Sequence, residues 1–277
     1  MWVAPRLIAL AVAAAAYRAL WWEPRHVRLT RRAVALPRWP EPLDGLRVAV
    51  IADLHTGAPH VSLAKVSRVV ERVNAERPDL VALLGDYVDT RVAGATRVAP
   101  AAVASALGRL RAPLGVAAVL GNHDWAEGGR EIGSALAGAG IAVLENKAMH
   151  AGRGLWVAGV ADAGMRDPDL EAALAAPPAD APVVLLSHSP DVFQRVPERV
   201  SLTLSGHTHG AQVDLPVVRD TVTPSRFGAR YAGGVFEDRA RVLFVSRGIG
   251  TSGLPVRFLA PPEVALLELR SRGGGRT

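Results

Sequence analysis

The chain has no cysteine in its 277 residues. That excludes disulfide scaffolds, thiolate nucleophiles, iron–sulfur clusters and Cys-based zinc sites, so any metal must be held by His, Asp, Glu, Asn or backbone groups. Lysine is nearly missing as well. Lys65 and Lys147 are the only two among 32 basic residues, and this arginine bias in an Ala-rich text reads as genome composition more than selection for phosphate contact. No twin arginine precedes the N-terminal apolar run, which argues against a twin-arginine export signal. Global disorder is excluded too, because hydrophobic residues make up 49% and charged residues only 21%, enough apolar side chains for a substantial core.

The net charge is +6, which suggests a nucleic-acid partner until its distribution is read. Residues 1–47 carry eight Arg against Glu23, Glu41 and Asp44, and Arg270, Arg272 and Arg276 sit in the tail. The body over 48–269 has 21 basic and 23 acidic residues and is close to neutral. Nucleic acid is therefore disfavoured as a partner.

Residues 1–22 read as a hydrophobic anchor or signal. Leu7 to Tyr17 is an apolar run of 11 residues, too short alone to cross a hydrocarbon core of about 30 Å at about 1.5 Å per residue. As an anchor, Arg6 and Arg18 would snorkel and Trp21 and Trp22 would sit at the interface. Arg18, Arg25, Arg28, Arg31, Arg32 and Arg38 follow the run, so the positive-inside rule keeps the following domain cytoplasmic and membrane-associated. A cleaved signal with an exported domain, and an Ala-rich helix packed on the domain, are the alternatives.

Residues 23–45 contain four prolines and no long period, and read as a linker with a short edge strand. The globular domain is expected over 46–269, with a disordered tail over 270–277. The apolar runs 46–52, 79–85 and 116–121 have the length of strands buried on both faces. Between them, Ser62 caps a helix bearing Leu63, Val66, Val69, Val70 and Val73 on one face, and a second helix is expected over 96–111. This alternation gives a parallel sheet with right-handed crossovers. After residue 140 the text changes to seven short strands, IAVLE, LWVAGVA, PVVLLSH, SLTLSGH, YAGGVFE, RVLFVS and EVALLELR, with a brief helix around 168–175. The expected fold is α/β, two packed sheets with helices outside.

Acidic, amide and imidazole residues collect at the ends of these strands. They are Asp53 and His55 in ADLHTG, Asp86 and Asp89 in LGDYVD, Asn122, His123 and Asp124 in LGNHD, His188 in LLSHSPD, and His207 and His209 in SGHTHG. The carboxyl ends of strands in an open α/β sheet converge on one crevice. Five such segments would leave several charges poorly solvated unless cations compensated them, and carboxylate, amide oxygen and neutral imidazole suit borderline-hard metals. Asp124 fits a structural capping residue, and His26, His60 and His150 have no motif context.

In this order the motifs D-x-H, G-D-x-x-D, G-N-H-D, a single His and G-H-x-H resemble those of the calcineurin-like metallophosphoesterases, over about 46–269. The resemblance implies a four-layer α/β/β/α sandwich of two mixed sheets and two divalent metal ions, manganese first with iron or zinc as alternatives. It implies that Asp53, His55 and His209 hold one metal, that Asn122, His188 and His207 hold the other, and that Asp86 bridges them. Two cations about 3.5 to 4 Å apart can share and acidify a water, and the bridging hydroxide would attack phosphorus in line. His123 would be catalytic, protonating the leaving oxygen, and Asp89 would orient its ring, with a local cap or loop bond as the alternative for Asp89.

Departures narrow the class. Val119-Leu120 and Thr90-Arg91 stand where the family's protein Ser/Thr phosphatases carry phosphate-binding arginines. Gly248, Gly250 and Gly253 match a dinucleotide fingerprint, but Pro255, Pro261 and Pro262 prevent the helix that it needs. That segment resembles the ending of a bacterial, membrane-linked branch whose members include UDP-2,3-diacylglucosamine hydrolases. The branch suggests Arg247 and Arg257 as substrate-binding residues, with ordinary core-edge arginines as the alternative. The expected activity is hydrolysis of a phosphodiester or pyrophosphate in a small-molecule or lipid-linked substrate. A non-catalytic scaffold and a metal-dependent nuclease are the competing classes.

Overall fold

The computed structural model describes residues 3–272, and the last five residues of the expected tail lie outside them. The N-terminal segment is helical: α1 (Val3–Tyr17) runs through a π-turn (Arg18–Trp22) into α2 (Glu23–Arg25). Among the described residues no helix is long and apolar enough to cross a membrane. Nor is the segment packed on the domain along its length, for Leu7, Ile8, Leu10, Val12, Tyr17, Leu20, Trp21 and Trp22 are exposed. Only its foot is tied down. Ala19 O accepts from Arg257 N at 3.0 Å, and the Arg18 guanidinium lies over the Phe258 ring.

Residues 23–45 hold the expected edge strand but belong to the domain, which corrects the linker. Strand β1 (Arg28–Leu36) pairs in parallel over nine residues with the last strand, and Val34, Leu36, Trp39 and Leu43 are buried in the core. As an edge strand it buries only its end, and exposed arginines mask its alternation. The remaining strands are β2 (Leu46–Ile51), β3 (Leu80–Leu83), β4 (Val116–Ala118), β5 (Ala142–Val143), β6 (Lys147–Gly152), β7 (Leu155–Gly159), β8 (Val183–Leu186), β9 (Leu202–Ser205), β10 (Gly234–Asp238), β11 (Arg241–Val245) and β12 (Glu263–Ser271). β12 carries the domain past 269, into the expected tail.

The strands form two six-stranded mixed sheets, in the orders β1-β12-β2-β3-β4-β5 and β10-β11-β9-β8-β7-β6. Alternation within each strand divides the core. Val48, Val50, Leu80, Ala82, Val157, Val184, Leu186, Leu202, Leu204 and Phe244 fill the space between the sheets. Their neighbours Ala49, Ile51, Val81 and Leu83 face outward under helices α3 (Leu63–Ala75), α4 (Pro100–Leu107) and α6 (Gly129–Gly138), where Val66, Val70, Val103 and Leu136 cover them. α5 (Asn122–Ala126) precedes α6 and carries the third motif. Over the second sheet the outer layer is thin, made by α7 (Leu170–Ala173) with the turns at Phe193 and Tyr231 on Leu185 and Val245. The architecture is the expected four-layer α/β/β/α sandwich.

Sequence details hold at element ends. Ser62 Oγ accepts from Lys65 N and caps α3. The second helix is shorter than expected, opening at Pro100, whose missing N–H costs nothing in the first turn.

Candidate metal centre

The chain leaves β2, β3 and β9 through a tight reversal that aims a donor into the space between the sheet ends. Asp53, His55, Asp86, His207 and His209 all adopt left-handed backbone, with φ between 47° and 70°. Non-glycine residues occupy this region at a cost that the surrounding structure must cover, and such strain concentrates at functional sites.

Asp86 stands at the middle. Its Oδ2 lies 3.5 Å from His55 Nε2 and 3.3 Å from His188 Nε2, while Oδ1 accepts from His123 N at 2.9 Å. On one side His55 Nε2 is 3.2 Å from His209 Nε2, and Asp53 Oδ1 is 4.0 Å from the latter. On the other side His188 Nε2 is 3.1 Å from both Asn122 Oδ1 and His207 Nδ1. Asp53, His55 and His209 thus form one donor triad, Asp86, His188 and His207 another, and His55, Asp86 and His123 a third between them.

Where the ring protons go tests whether this set fits cations. The Nδ1 of His55 donates to Asp89 Oδ2 at 2.9 Å, and the Nδ1 of His188 donates to Leu84 O at 2.7 Å. Both Nε2 lone pairs therefore face the cluster, as second-shell acceptors arrange for metal-bound imidazoles. His188 Nε2 then confronts two acceptor oxygens, of the Asp86 carboxylate and the Asn122 amide, beside His207 Nδ1. Burial opposes a charged His188, yet the carboxylates of Asp86, Asp53 and Asp162 overcome it and push the ring up to about 10. Burial and the neighbouring His188 push His207 down to about 3. The carboxylates thus draw positive charge to the centre while His207 stays neutral, and a donor set that attracts positive charge and offers oxygens and imidazoles fits divalent cations.

The ring of His123 meets His55 edge-on at 4.6 Å and shares a triad with His55 and Asp86. Its Nδ1 lies 2.7 Å from Asp89 Oδ2, and its Nε2 points toward the opening, 3.3 Å from Ser252 Oγ. One carboxylate oxygen of Asp89 therefore orients two imidazoles, His55 and His123, whereas sequence reasoning foresaw only the second. Burial works against the Asp89 charge, but the imidazole of His123 in ion-pair contact and the hydrogen bond from His55 hold the carboxyl well below its usual range. Burial alone would lower His123, and Asp89 and Asp86 instead raise it.

Residues 46–211 match the calcineurin-like phosphoesterase family. The chain belongs to that family. As a metallophosphoesterase it is a phosphoester-hydrolysing enzyme dependent on divalent metal ions. The uncharacterized metallophosphoesterase YkuE of Bacillus subtilis is 31% identical over 255 residues, 90% of this chain and 87% of that one. The UDP-2,3-diacylglucosamine pyrophosphatase LpxG of Chlamydia trachomatis is 27% identical over 88% of this chain and 90% of that one. A zebrafish (Danio rerio) transmembrane protein with a metallophosphoesterase domain is 30% identical over 86% of this chain, which spans only 56% of that longer protein. Among solved structures, the Thermus thermophilus sulfate thiohydrolase SoxB in complex with glycerol superposes with a TM-score of 0.50 over 86% of this chain and 58% of that one, at 15% identity, a likeness of fold.

Arg257 departs from its expected role of touching substrate. It is fully buried, and its guanidinium donates to the carbonyls of Gly250, His209 and Ala260 while Nη2 lies 3.2 Å from His209 Nδ1. Burial pushes it down to about 10. It holds His209 from behind. Arg247 is half-buried, and its stem crosses Gly210 beside His209.

The glycines that imitated a dinucleotide fingerprint have a steric reason. Gly248 has φ of 66°, and a Cβ there would sit 2.6 Å from Asp53 Oδ2. At Gly250 it would sit 2.5 Å from Leu54 O. Both let the loop after β11 pass under Asp53.

Other contributors were missed or underrated. Asp124 is buried, its Oδ2 accepting from Asp86 N and Gly121 N and its Oδ1 from Tyr87 N, so it clamps the turn that aims Asp86. Its capping bond to Gly121 N is the role expected of it, and its place in the motif was the only signal for the added clamp on Asp86. Ser252 had none. Nor did the apolar cavity of about 340 Å³ that opens beside His209, walled by Ala211, Val213, Val222, Leu254 and Val256.

Proposed function

We propose that the chain hydrolyses a phosphodiester or pyrophosphate bond in a lipid-linked substrate of the UDP-2,3-diacylglucosamine type. Asp53, His55 and His209 would hold one divalent ion, Asn122, His188 and His207 a second, and Asp86 would serve both, with manganese the first candidate and iron or zinc the alternatives. When bound, such a pair supplies Lewis acidity and an acidified water for attack on phosphorus. The protein's own part is positional and protonic. Asp89 fixes the rings of His55 and His123, and His123 Nε2, facing the opening, delivers a proton to the leaving oxygen. Arg247, at the edge of the site, is assigned to a substrate phosphate.

The observation that carries the substrate class is the apolar cavity beside His209. Leu254 on its wall is 62% exposed and Val222 46%, so apolar surface runs from the donor cluster to the outside of the protein. A soluble, charged phosphoester has no use for such a wall, whereas an acylated one buries its chain there. The exposed apolar helix α1, with Trp21 and Trp22 at its foot, supports attachment at a membrane, and the arginines after it favour a cytoplasmic face. The test compares hydrolysis of bis-p-nitrophenyl phosphate and UDP-2,3-diacylglucosamine with Mn²⁺ added. Turnover of the lipid-linked substrate at the higher kcat/KM supports the reading. Failure of both at full metal occupancy overturns it.

A further inference from the structure

Where the N-terminal helix joins the domain, a second basic site lies apart from the donor cluster. Arg25, His26 and Val27 at the foot face Lys65, Arg68, Val69 and Arg72 of α3 across a cavity of about 350 Å³. The foot is tied to α3 by main-chain contacts: Lys65 Nζ donates to Pro24 O at 2.9 Å, and Arg72 Nη1 donates to Val27 O at 2.8 Å. Arg25 stacks on Trp21 and His26 on Trp22, so the aromatic belt and the basic wall are one surface.

This wall has no counter-charge. Among the described residues, none of Arg25, Lys65, Arg68 and Arg72 makes an ion pair, although Arg31 and Arg47 nearby both pair with Glu76. The one carboxylate at the foot, Glu23, is buried and paired with Arg18. Burial, followed by the charges of Arg257, Arg68 and Arg25, pushes Lys65 down to about 7. A cavity ringed by four basic side chains and lacking an acid is complementary to an anion.

We propose that Arg25, Lys65, Arg68 and Arg72 form a cradle for the phosphate headgroup of an anionic phospholipid, seated as the exposed side of α1 and Trp21 and Trp22 enter the bilayer. The proposal rests on the membrane attachment argued above and adds a headgroup site to it. Position favours lipid over free anion, because the cradle adjoins the exposed apolar helix and its tryptophans. Arg68 and Arg72 come from the domain, so the headgroup contact would also fix the domain's tilt on the surface and, with it, the direction in which the apolar cavity opens.

The test is partition of the full-length, detergent-purified chain onto vesicles of phosphatidylcholine alone or with added phosphatidylglycerol, at fixed salt. Arg68 and Arg72 are exposed, but Arg72 also donates to Val27 O, so the pair Arg68→Gln and Arg72→Gln is compared with the native chain only with a matching melting temperature, which shows the foot still docked. Each arginine near an anionic surface is worth about 1 kcal/mol, so the pair should weaken partition onto anionic vesicles about thirtyfold while partition onto neutral vesicles and hydrolysis of bis-p-nitrophenyl phosphate stay unchanged. The control pair Arg130→Gln and Arg239→Gln, exposed and remote from the cradle, should keep the anionic preference. An unchanged preference in the first pair, or an equal loss in the control, overturns the cradle. If the native chain binds neutral and anionic vesicles alike, the headgroup site fails while membrane attachment stands. If it binds neither, both fail. Displacement from anionic vesicles by millimolar inorganic phosphate, but not by chloride of matched ionic strength, would assign the cradle to a free anion instead.

Discussion

Asp89 offers the sharpest perturbation, because one of its oxygens lies 2.9 Å from His55 Nδ1 and 2.7 Å from His123 Nδ1. Asp89→Asn keeps the shape and removes the charge that strengthens both contacts. The hydrogen bond to His55 and the close ion pair with His123 each lose about 1 to 1.5 kcal/mol when the charge goes, so the two losses amount to about 2 to 3 kcal/mol. In kcat/KM this is a fall of about 30- to 200-fold. In a His123→Ala background only the His55 contact remains, and the same substitution should cost about 5- to 10-fold, with a similar loss of metal affinity. The assay is kcat/KM for bis-p-nitrophenyl phosphate at saturating Mn²⁺ over the four-member cycle, with a metal titration of each protein. If Asp89→Asn changes nothing in the His123→Ala background, Asp89 acts on His123 alone and its assignment to His55 is wrong. If the single variant stays within twofold of the native chain, Asp89 positions neither ring.

The other variants separate metal binding, packing and substrate recognition. His123→Ala should keep both metals and lose about 10²- to 10⁴-fold in rate, and loss of a metal in elemental analysis would make His123 a ligand instead. Arg257→Ala leaves the buried carbonyls of Gly250, His209 and Ala260 without their donor, at about 1 to 3 kcal/mol each. A melting temperature about 6 °C or more lower is expected, and an unchanged melt would show that Arg257 carries no such load. Leu254→Asp puts a charge on the cavity wall. It should raise KM for an acylated substrate and spare bis-p-nitrophenyl phosphate, and equal effects on both would remove the cavity from substrate recognition.

Much of this was legible because the donors sit at the ends of strands buried on both faces. Val48 to Ala52 is uniformly apolar, its residues serve two core layers, and the polar residue that follows can lie only at the sheet end. Repeated at Leu83, Ala118, Leu186 and Ser205, that rule brings Asp53, Asp86, Asn122, His188 and His207 together without any knowledge of their distances. Edge strands were less legible, since partial burial leaves little pattern. β1 mixes five exposed residues into its nine, and β6 buries none of its side chains fully. Arg257 misled because the reasons for burying it are main-chain carbonyls on three separated turns, which no side-chain pattern records. The double duty of Asp89 is a matter of ångströms between Asp89, His55 and His123, and spacing along the chain could supply only one of its partners.

The central claim is a pair of divalent ions sharing Asp86, and metal stoichiometry of the native chain and of Asp86→Asn tests it most directly. Asp86 Oδ2 is the oxygen within 3.5 Å of imidazoles from both sides of the cluster, so replacing the carboxylate removes the anion common to both ions. The account predicts two ions per native chain, no more than one in Asp86→Asn, and loss of hydrolysis with the second ion. One ion in the native chain, or two retained by a folded Asp86→Asn, would contradict it.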